Sequence, residues 1–316
     1  MKTTTLGKSD LRVSRIAFGA WQLGGDWGHF DEEAAIAAIR HALDLGVNFF
    51  DTAHAYGSGA SEHLLGKALR PELLRERDRL VIATKGGLRT TDSGLLPDAR
   101  PAAVRSDVEA SLAALGIDRI DLYQMHGADP DVPVAETAGA LADLVAEGKI
   151  AHVGLSNCDI VEIQAFCSAL PLATVQPSFE VFCGDIRSEL LPHCRQGDIG
   201  VLVYASLALG VLTGMVNGDT CFATRDWWSH STAYRTDGDR RNREIVSELD
   251  CFAAYLGLTI SQLAIAWMLS QPGVHVAIVG ARRFSQLPDS IAASEAVLTD
   301  ADLAVIENIR SFATSV

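Results

Sequence analysis

Short apolar runs rich in valine and isoleucine alternate along the chain with longer stretches whose apolar residues recur at helical spacing. Ile16-Ala17-Phe18-Gly19 reads as a strand, and Asp31-Glu32-Glu33 then opens an amphipathic helix that ends at Gly46. Val47 to Phe50 is the next strand, followed by a helix through Leu64, Leu65 and Leu69. Leu80 to Thr84 precedes a helix from Pro101 to Leu115, and Ile120 to Met125 precedes one from Pro133 to Glu147. The alternation continues with Ile150 to Gly154 and a helix beyond Asp159, then Ala173 to Gln176 and a helix from Ile186 to Gln196. Ile199 to Tyr204 is the seventh strand. After a long insertion, helices are expected at Glu244–Tyr255 and Ile260–Leu269. The eighth strand, Val274 to Val279, leads into Ser285–Ala293 and a last helix past Asp300.

Eight strands, each followed by helix and with no break in composition, predict an α/β protein of the (β/α)8 TIM-barrel class. The whole of 1–316 is expected to form one barrel domain, with a loop insertion at about 216–243. The strands are continuously apolar, as strands buried on both faces should be. A doubly wound sheet is disfavoured because Gly57-Ser58-Gly59 continues to Glu62 where the third glycine of a dinucleotide fingerprint belongs. Leu6-Gly7-Lys8-Ser9-Asp10, between two short β-like pieces, predicts an N-terminal β-hairpin capping the barrel bottom.

The charge balance narrows the partners. Lys and Arg number 26 against 40 Asp and Glu, a formal charge of −14. Such a surface argues against nucleic acid and against an anionic membrane, and points to small-molecule chemistry or a protein partner. Six scattered cysteines without a C-x-x-C pair read as reduced thiols of a cytoplasmic protein. The first residues, Met1 to Gly7, lack the apolar core of a signal peptide. Ile199 to Val216 runs 18 residues without a charge, but it carries glycines and acidic flanks, so a buried strand and a glycine-bearing turn are expected there.

Polar residues at the carboxyl ends of barrel strands are where chemistry is expected, because the βα loops converge there. Asp51 follows the second barrel strand, with Tyr56 further into the same loop; Lys85 follows the third strand and His126 the fourth. Each has a plain structural explanation: a turn cap, a packed ring, a surface lysine, a satisfied imidazole. Together they form a chemically sensible set. A phenol titrates near ~10 and is a poor acid until its phenolate is stabilised. An adjacent ammonium does that, and a buried carboxylate keeps the ammonium charged. His126 would then polarise a carbonyl oxygen beside Tyr56.

These residues also carry a resemblance to the aldo-keto reductase superfamily. Asp51-Thr52-Ala53-His54-Ala55-Tyr56-Gly57 resembles its second-strand motif, extended by Ser61-Glu62 and Leu65-Gly66. Ala83-Thr84-Lys85 is similar to its lysine motif, and Asp121 to His126 to its histidine motif. The likeness runs from Thr5 to about Ala293. It implies a (β/α)8 barrel and NADPH-dependent reduction of a small-molecule aldehyde or ketone, with Asp51, Tyr56, Lys85 and His126 as the catalytic tetrad. It further implies that Ser156, Asn157 and Gln176 hold the nicotinamide amide and that Tyr204 stacks on the ring. Ala205, Leu207, Ala208 and Gly210 match the loop under the pyrophosphate, with Ser206 in place of the usual proline. Gly280, Arg282 and Gln286 resemble the segment that grips the 2′-phosphate, and Ser290 stands where the family usually has asparagine near the adenine. A guanidinium suits phosphate bidentately, so Arg282 favours NADPH over NADH.

Trp21 and Trp27 are candidate walls of the substrate pocket, and Gly127 stands where many family members carry tryptophan. The insertion carries Phe222, Trp227, Trp228 and Tyr234 and is expected to fold over the cofactor as a lid. No metal site is expected, since the remaining histidines show no paired ligand spacing. Two other readings stay open on the same residues. One is a cofactor-binding regulatory subunit similar to potassium-channel β subunits. The other is a Schiff-base aldolase using Lys85, which would not need Tyr56 or Arg282. The sequence assigns neither the carbonyl nor an oligomeric state.

Overall fold

The architecture was obtained as a computed structural model that describes residues 1–25, 31–91, 94–182, 186–213, 238–280 and 287–312. The chain opens with an antiparallel hairpin of β1 (Thr3–Thr5) and β2 (Arg12–Ser14), in which Thr3 pairs with Ser14. Next come β3 (Ile16–Gly19), β4 (Phe49–Asp51) and β5 (Val81–Gly86), then a second antiparallel hairpin of β6 (Leu88–Thr91) and β7 (Gly94–Pro97). The remaining strands are β8 (Ile120–Met125), β9 (Ile150–Ser156), β10 (Thr174–Gln176), β11 (Gly200–Val203) and β12 (Val276–Gly280). Eight of these, β3, β4, β5, β8, β9, β10, β11 and β12, pair in parallel in that order, and β12 pairs back onto β3 to close the barrel.

Helices cover the outside. They are α1 (Glu32–Asp44), α2 (Ala60–Ala68), α3 (Arg70–Arg75), α4 (Pro101–Leu115), α5 (Val134–Ala146) and α6 (Ile160–Ala169). The later ones are α7 (Leu190–Gly197), α8 (Gly238–Tyr255), α9 (Ile260–Ser270), α10 (Leu287–Ala292) and α11 (Asp300–Phe312). Several starts are written in the sequence. The Asp31 side chain accepts from the amides of Glu33 and Ala34 at the head of α1, and Asp159 and Glu162 form a reciprocal capping box on α6. Among the described residues no single helix is long and apolar enough to cross a membrane.

Side chains alternate across each strand, and this decides the site. Phe18, Phe50, Ile82, Tyr123, Val153, Val175, Val201 and Val279 face outward into the layer shared with the helices. Ala17, Phe49, Val81, Ala83, Leu122, Leu202, Val276 and Ile278 face inward, and Leu6, Leu11 and Val13 of the first hairpin plug the same cluster from below. The capping hairpin is therefore present as expected.

Several details differ from the sequence reading, among them α8, which begins at Gly238 inside the stretch expected to be a loop, ahead of the predicted Glu244. Asp51 and Lys85 belong to β4 and β5 themselves rather than to the loops after them. The β6–β7 hairpin was not expected, because its strands are short, half-buried or exposed, and lack an apolar run. α7 begins at Leu190, later than predicted, since residues 186–189 form turns. The uncharged stretch from Ile199 resolves as β11 and a 3-10 helix at Ala208–Thr213, as anticipated. Cys158, Cys167, Cys194 and Cys251 are free thiols, and burial pushes Cys158 and Cys194 up to about 12.

Candidate active site

The inward parity of each strand carries polar residues to one mouth. Phe49 faces inward, so Asp51 two residues later does too; Ala83 leads in the same way to Lys85, and Leu122 to Gln124. The register then sets them side by side, with Asp51 opposite Ala83, Lys85 opposite Gln124, and Ser156 opposite Gln176.

Lys85 is 1% exposed and Asp51 3%. The Lys85 ammonium donates to Asp51 Oδ1 at 2.5 Å and to the Thr52 carbonyl at 2.9 Å. The second carboxylate oxygen of Asp51 accepts from Gln176 Nε2 at 2.9 Å and Gln124 Nε2 at 3.3 Å. Burial works against the Lys85 charge, but Asp51 and Tyr56 outweigh it and hold the ammonium above the ordinary lysine value. The lysine is cationic at any working pH, which disfavours it as a Schiff-base nucleophile.

Tyr56 stands over this pair. The Lys85 Nζ lies 5.4 Å from the centre of its ring. Its ring stacks on Trp21 at 6.1 Å and meets His126 edge-on at 5.6 Å. Burial pushes the phenol above its ordinary value and exceeds the opposing pull of Lys85. The expectation of a phenol made acidic is thus corrected: in this state the ammonium offsets burial and does not overcome it. His126 is driven the other way, down to about 3, by burial and then by the Lys85 charge. It is a neutral imidazole, and its Nδ1 is buried with no hydrogen-bond partner.

The loop bearing Tyr56 is seated by a close backbone approach. Gly57 has φ +62°, and a Cβ there would lie 2.1 Å from the Gly24 carbonyl oxygen. Both the left-handed backbone and the contact require glycine.

Around the mouth lie the residues expected to hold a cofactor. Ser156 Oγ donates to the Gln176 carbonyl at 3.1 Å. Asn157 has φ +53°; its Nδ2 donates to the His126 carbonyl at 3.1 Å and its Oδ1 accepts from the Tyr204 hydroxyl at 2.6 Å. Past Tyr204, Ala205 and Ala208 are alanines at positive φ, strain of the kind that collects at ligand-binding loops, and Leu207 and Gly210 complete the turn. The Ser206 hydroxyl donates to the Ile278 carbonyl at 3.0 Å, pinning this loop to β12 without the expected proline. Gly280 ends β12, and a Cβ there would fall 2.4 Å from Gln22 Oε1, a buried atom with no partner. Ser290 is buried in α10. Trp27, Arg282, Gln286 and residues 214–237 of the insertion lie outside the described residues. Gly127 lines a mainly apolar cavity of about 210 Å³ with Met125, Val132, Leu155 and Phe166, between the strands and helices α5 and α6.

Sequence reasoning missed Gln124, Gln22 and Glu62. Parity from Leu122 would have found Gln124, and a carboxylate on the apolar face of α2 would have found Glu62.

Residues 15–311 match the model of the aldo/keto reductase family. The chain belongs to that family. Its membership makes it an oxidoreductase whose relatives use a nicotinamide cofactor and small carbonyl substrates. It is 37% identical over 289 residues to the aldo-keto reductase YhdN of Bacillus subtilis, covering 91% of this chain and 87% of that one. It is 31% identical to the NADH-specific methylglyoxal reductase of Escherichia coli, covering 98% of each. The solved glycerol dehydrogenase AKR11B4 of Gluconobacter oxydans superposes with a TM-score of 0.89 at 32% identity, covering 98% of this chain and 95% of that one. The closed eight-stranded barrel is the fold of these aldo/keto reductases.

Proposed function

We propose that this chain reduces a small aldehyde or ketone to the alcohol, with NADPH as cofactor and Tyr56 as the general acid. The observation that carries the proposal is the stack of Asp51, Lys85 and Tyr56 at one strand-end mouth, with neutral His126 edge-on to the phenol. The donor set suits a dinucleotide. Ser156, Asn157, Gln176 and Tyr204 would hold the nicotinamide end; Ala205, Leu207, Ala208 and Gly210 the pyrophosphate; and Gly280, Arg282, Gln286 and Ser290 the adenosine. The strained Ala205 and Ala208 backbone and the glycine-only space at Gly280 support that fit. When bound, the reduced nicotinamide supplies the hydride for the carbonyl carbon.

The chain's own groups handle the proton. The Tyr56 hydroxyl donates to the carbonyl oxygen as negative charge develops there, and the phenolate left behind is stabilised by the Lys85 ammonium. Asp51, braced by Gln176 and Gln124, keeps that ammonium charged and oriented. His126, kept neutral near physiological pH by burial and the Lys85 charge, contributes a neutral N–H to the same oxygen. Trp21 stacks on the phenol ring and helps hold it in place. Arg282 would select NADPH through its 2′-phosphate.

Residues 1–316 are read as one barrel domain with an insertion between β11 and α8, in a cytoplasmic protein with reduced thiols. Following nicotinamide absorbance over a panel of aldehydes and ketones, with NADPH and NADH side by side, tests the proposal. Turnover that prefers NADPH supports it. No turnover with either cofactor refutes the reductase reading, and preference for NADH refutes the cofactor choice.

A further inference from the structure

A buried carboxylate that the chemistry above does not use lies directly behind the reacting pair. Glu62, in the first turn of α2, is 0% exposed. Its Oε1 accepts from the Thr84 hydroxyl at 2.6 Å, and its Oε2 lies 3.3 Å from His54 Nδ1. Thr84 immediately precedes Lys85 on β5, and His54 is two residues before Tyr56 in the loop after β4. One side chain therefore touches both the strand that carries the ammonium and the loop that carries the phenol.

We propose that Glu62 is a positioning residue, clamping the Tyr56 loop through His54 to the Lys85 strand through Thr84 and so fixing the phenol over the ammonium. The role deepens the reductase reading and rests on it.

The clamp is one of several ties that converge on the same few residues. The His54 amide donates to the Lys85 carbonyl at 2.9 Å, and the Gly59 amide donates to the His54 carbonyl at 2.8 Å. Ser61, next to Glu62, donates to the Ala20 carbonyl at 2.8 Å and shares a 2.9 Å hydrogen bond with the Thr52 hydroxyl. These backbone and hydroxyl bonds, with the Lys85 ammonium on the Thr52 carbonyl, seat the loop, and Glu62 adds a side-chain tie that reaches both catalytic segments at once. An ionised carboxylate taken out of water is tolerated only where it is paired and hydrogen-bonded. An apolar residue would serve a purely packing role at this position.

The surroundings leave His54 as the ionisable partner of Glu62. Glu62 shares its electrostatic neighbourhood with Tyr123 of β8, Asp107 of α4 and Arg89 of β6. Arg89 is engaged with Asp107, which also accepts from the Gly87 amide at 2.8 Å. That leaves Glu62 to His54, whose imidazole Glu62 raises above its ordinary value against the burial that lowers it. Asp107 adds to the rise and Arg89 opposes it.

The test uses Thr84→Val, Glu62→Gln and Glu62→Leu in the full chain. Thr84→Val removes one arm while keeping shape, and Glu62→Gln keeps an oxygen for the Thr84 hydroxyl but loses the charge. Three readings are taken on protein whose circular dichroism matches the parent: kcat on a short aldehyde, cofactor affinity by fluorescence titration, and the Tyr56 13Cζ resonance, assigned by its loss in Tyr56→Phe. The expected result is a fall in kcat of about 10-fold or more in Thr84→Val with cofactor affinity within about 2-fold of the parent, the usual size for a misplaced general acid. Glu62→Gln should retain part of what Glu62→Leu loses, and the Tyr56 resonance should move although neither substituted side chain touches it. A kcat within about 2-fold of the parent, or kcat and cofactor affinity falling together, overturns the positioning role. Should the parent turn over no carbonyl at all, the reductase reading falls, and the Tyr56 resonance still decides the clamp: an unmoved signal in both Thr84→Val and Glu62→Gln overturns it. If Glu62→Leu does not fold, the other two variants carry the result.

Discussion

The Lys85 ammonium is 2.5 Å from Asp51 Oδ1, in a site where neither residue is more than 3% exposed. A buried pair of this kind is costly to form and costlier to break, because removing one partner leaves the other as an uncompensated charge. Lys85→Met should therefore lower stability by about 3–5 kcal/mol in urea unfolding. The double variant Asp51→Leu/Lys85→Met should recover most of that loss, because it leaves no unpaired charge. A single-variant loss below about 1 kcal/mol, in the range of exposed pairs, would show that water relieves the site.

Tyr56 is expected to be the proton donor because Lys85 keeps its charge and His126 is a neutral imidazole, a far weaker acid than an imidazolium, near neutral pH. Tyr56→Phe keeps the ring against Trp21 and His126 and removes only the hydroxyl. Reduction should fall by roughly 10²–10⁴-fold, the range for loss of a positioned general acid, while cofactor affinity stays at the parent value. Turnover near the parent rate would remove Tyr56 from that role.

His126 makes acid stability a measurable consequence of burial. Its folded value is about 3 against an ordinary 6.5, so between those pH values the unfolded chain binds a proton that the folded chain refuses. Stability conferred by the folded state is then lost as pH falls through that window. Relative to His126→Gln, which cannot titrate, the parent should lose about 1 kcal/mol per pH unit below pH 6.5. Parallel stability curves for the two proteins would mean that His126 is not desolvated in solution.

Cofactor choice is tested at the segment after β12. A guanidinium on a phosphate is a charge-assisted contact of about 1.5–3 kcal/mol, so Arg282→Ala should weaken NADPH by roughly 10–100-fold and NADH little. Equal losses for both dinucleotides in a binding titration would place recognition of the 2′-phosphate elsewhere, and would bring this chain nearer the relative described as NADH-specific.

Much of the site was legible because a barrel converts sequence position into spatial position. Once Phe49, Ala83 and Leu122 are known to face inward, Asp51, Lys85 and Gln124 must share the mouth, and the parallel register makes them neighbours. Gln124 was overlooked only because an amide between apolar residues carries no obvious chemistry. Glu62 was harder to see. It reaches Thr84 of the next barrel strand and His54 of its own preceding loop, and the pattern of α2 marks Glu62 as buried without naming those two partners. The β6–β7 hairpin was missed for a related reason: its strands pair with each other and bury little, so they lack the apolar signature that marked the barrel strands.

The order of elements, the inward and outward faces of the strands, and the polar residues carried to the barrel mouth are properties of the chain itself, since periodicity and residue chemistry are local. The protonation states are not. That Lys85 keeps its charge, that Tyr56 is held above its ordinary value and that His126 is neutral follow from burial and from the charges brought within reach by closure of the barrel. Solvent exclusion and distance are sums over segments far apart in sequence, and only the folded molecule performs that sum.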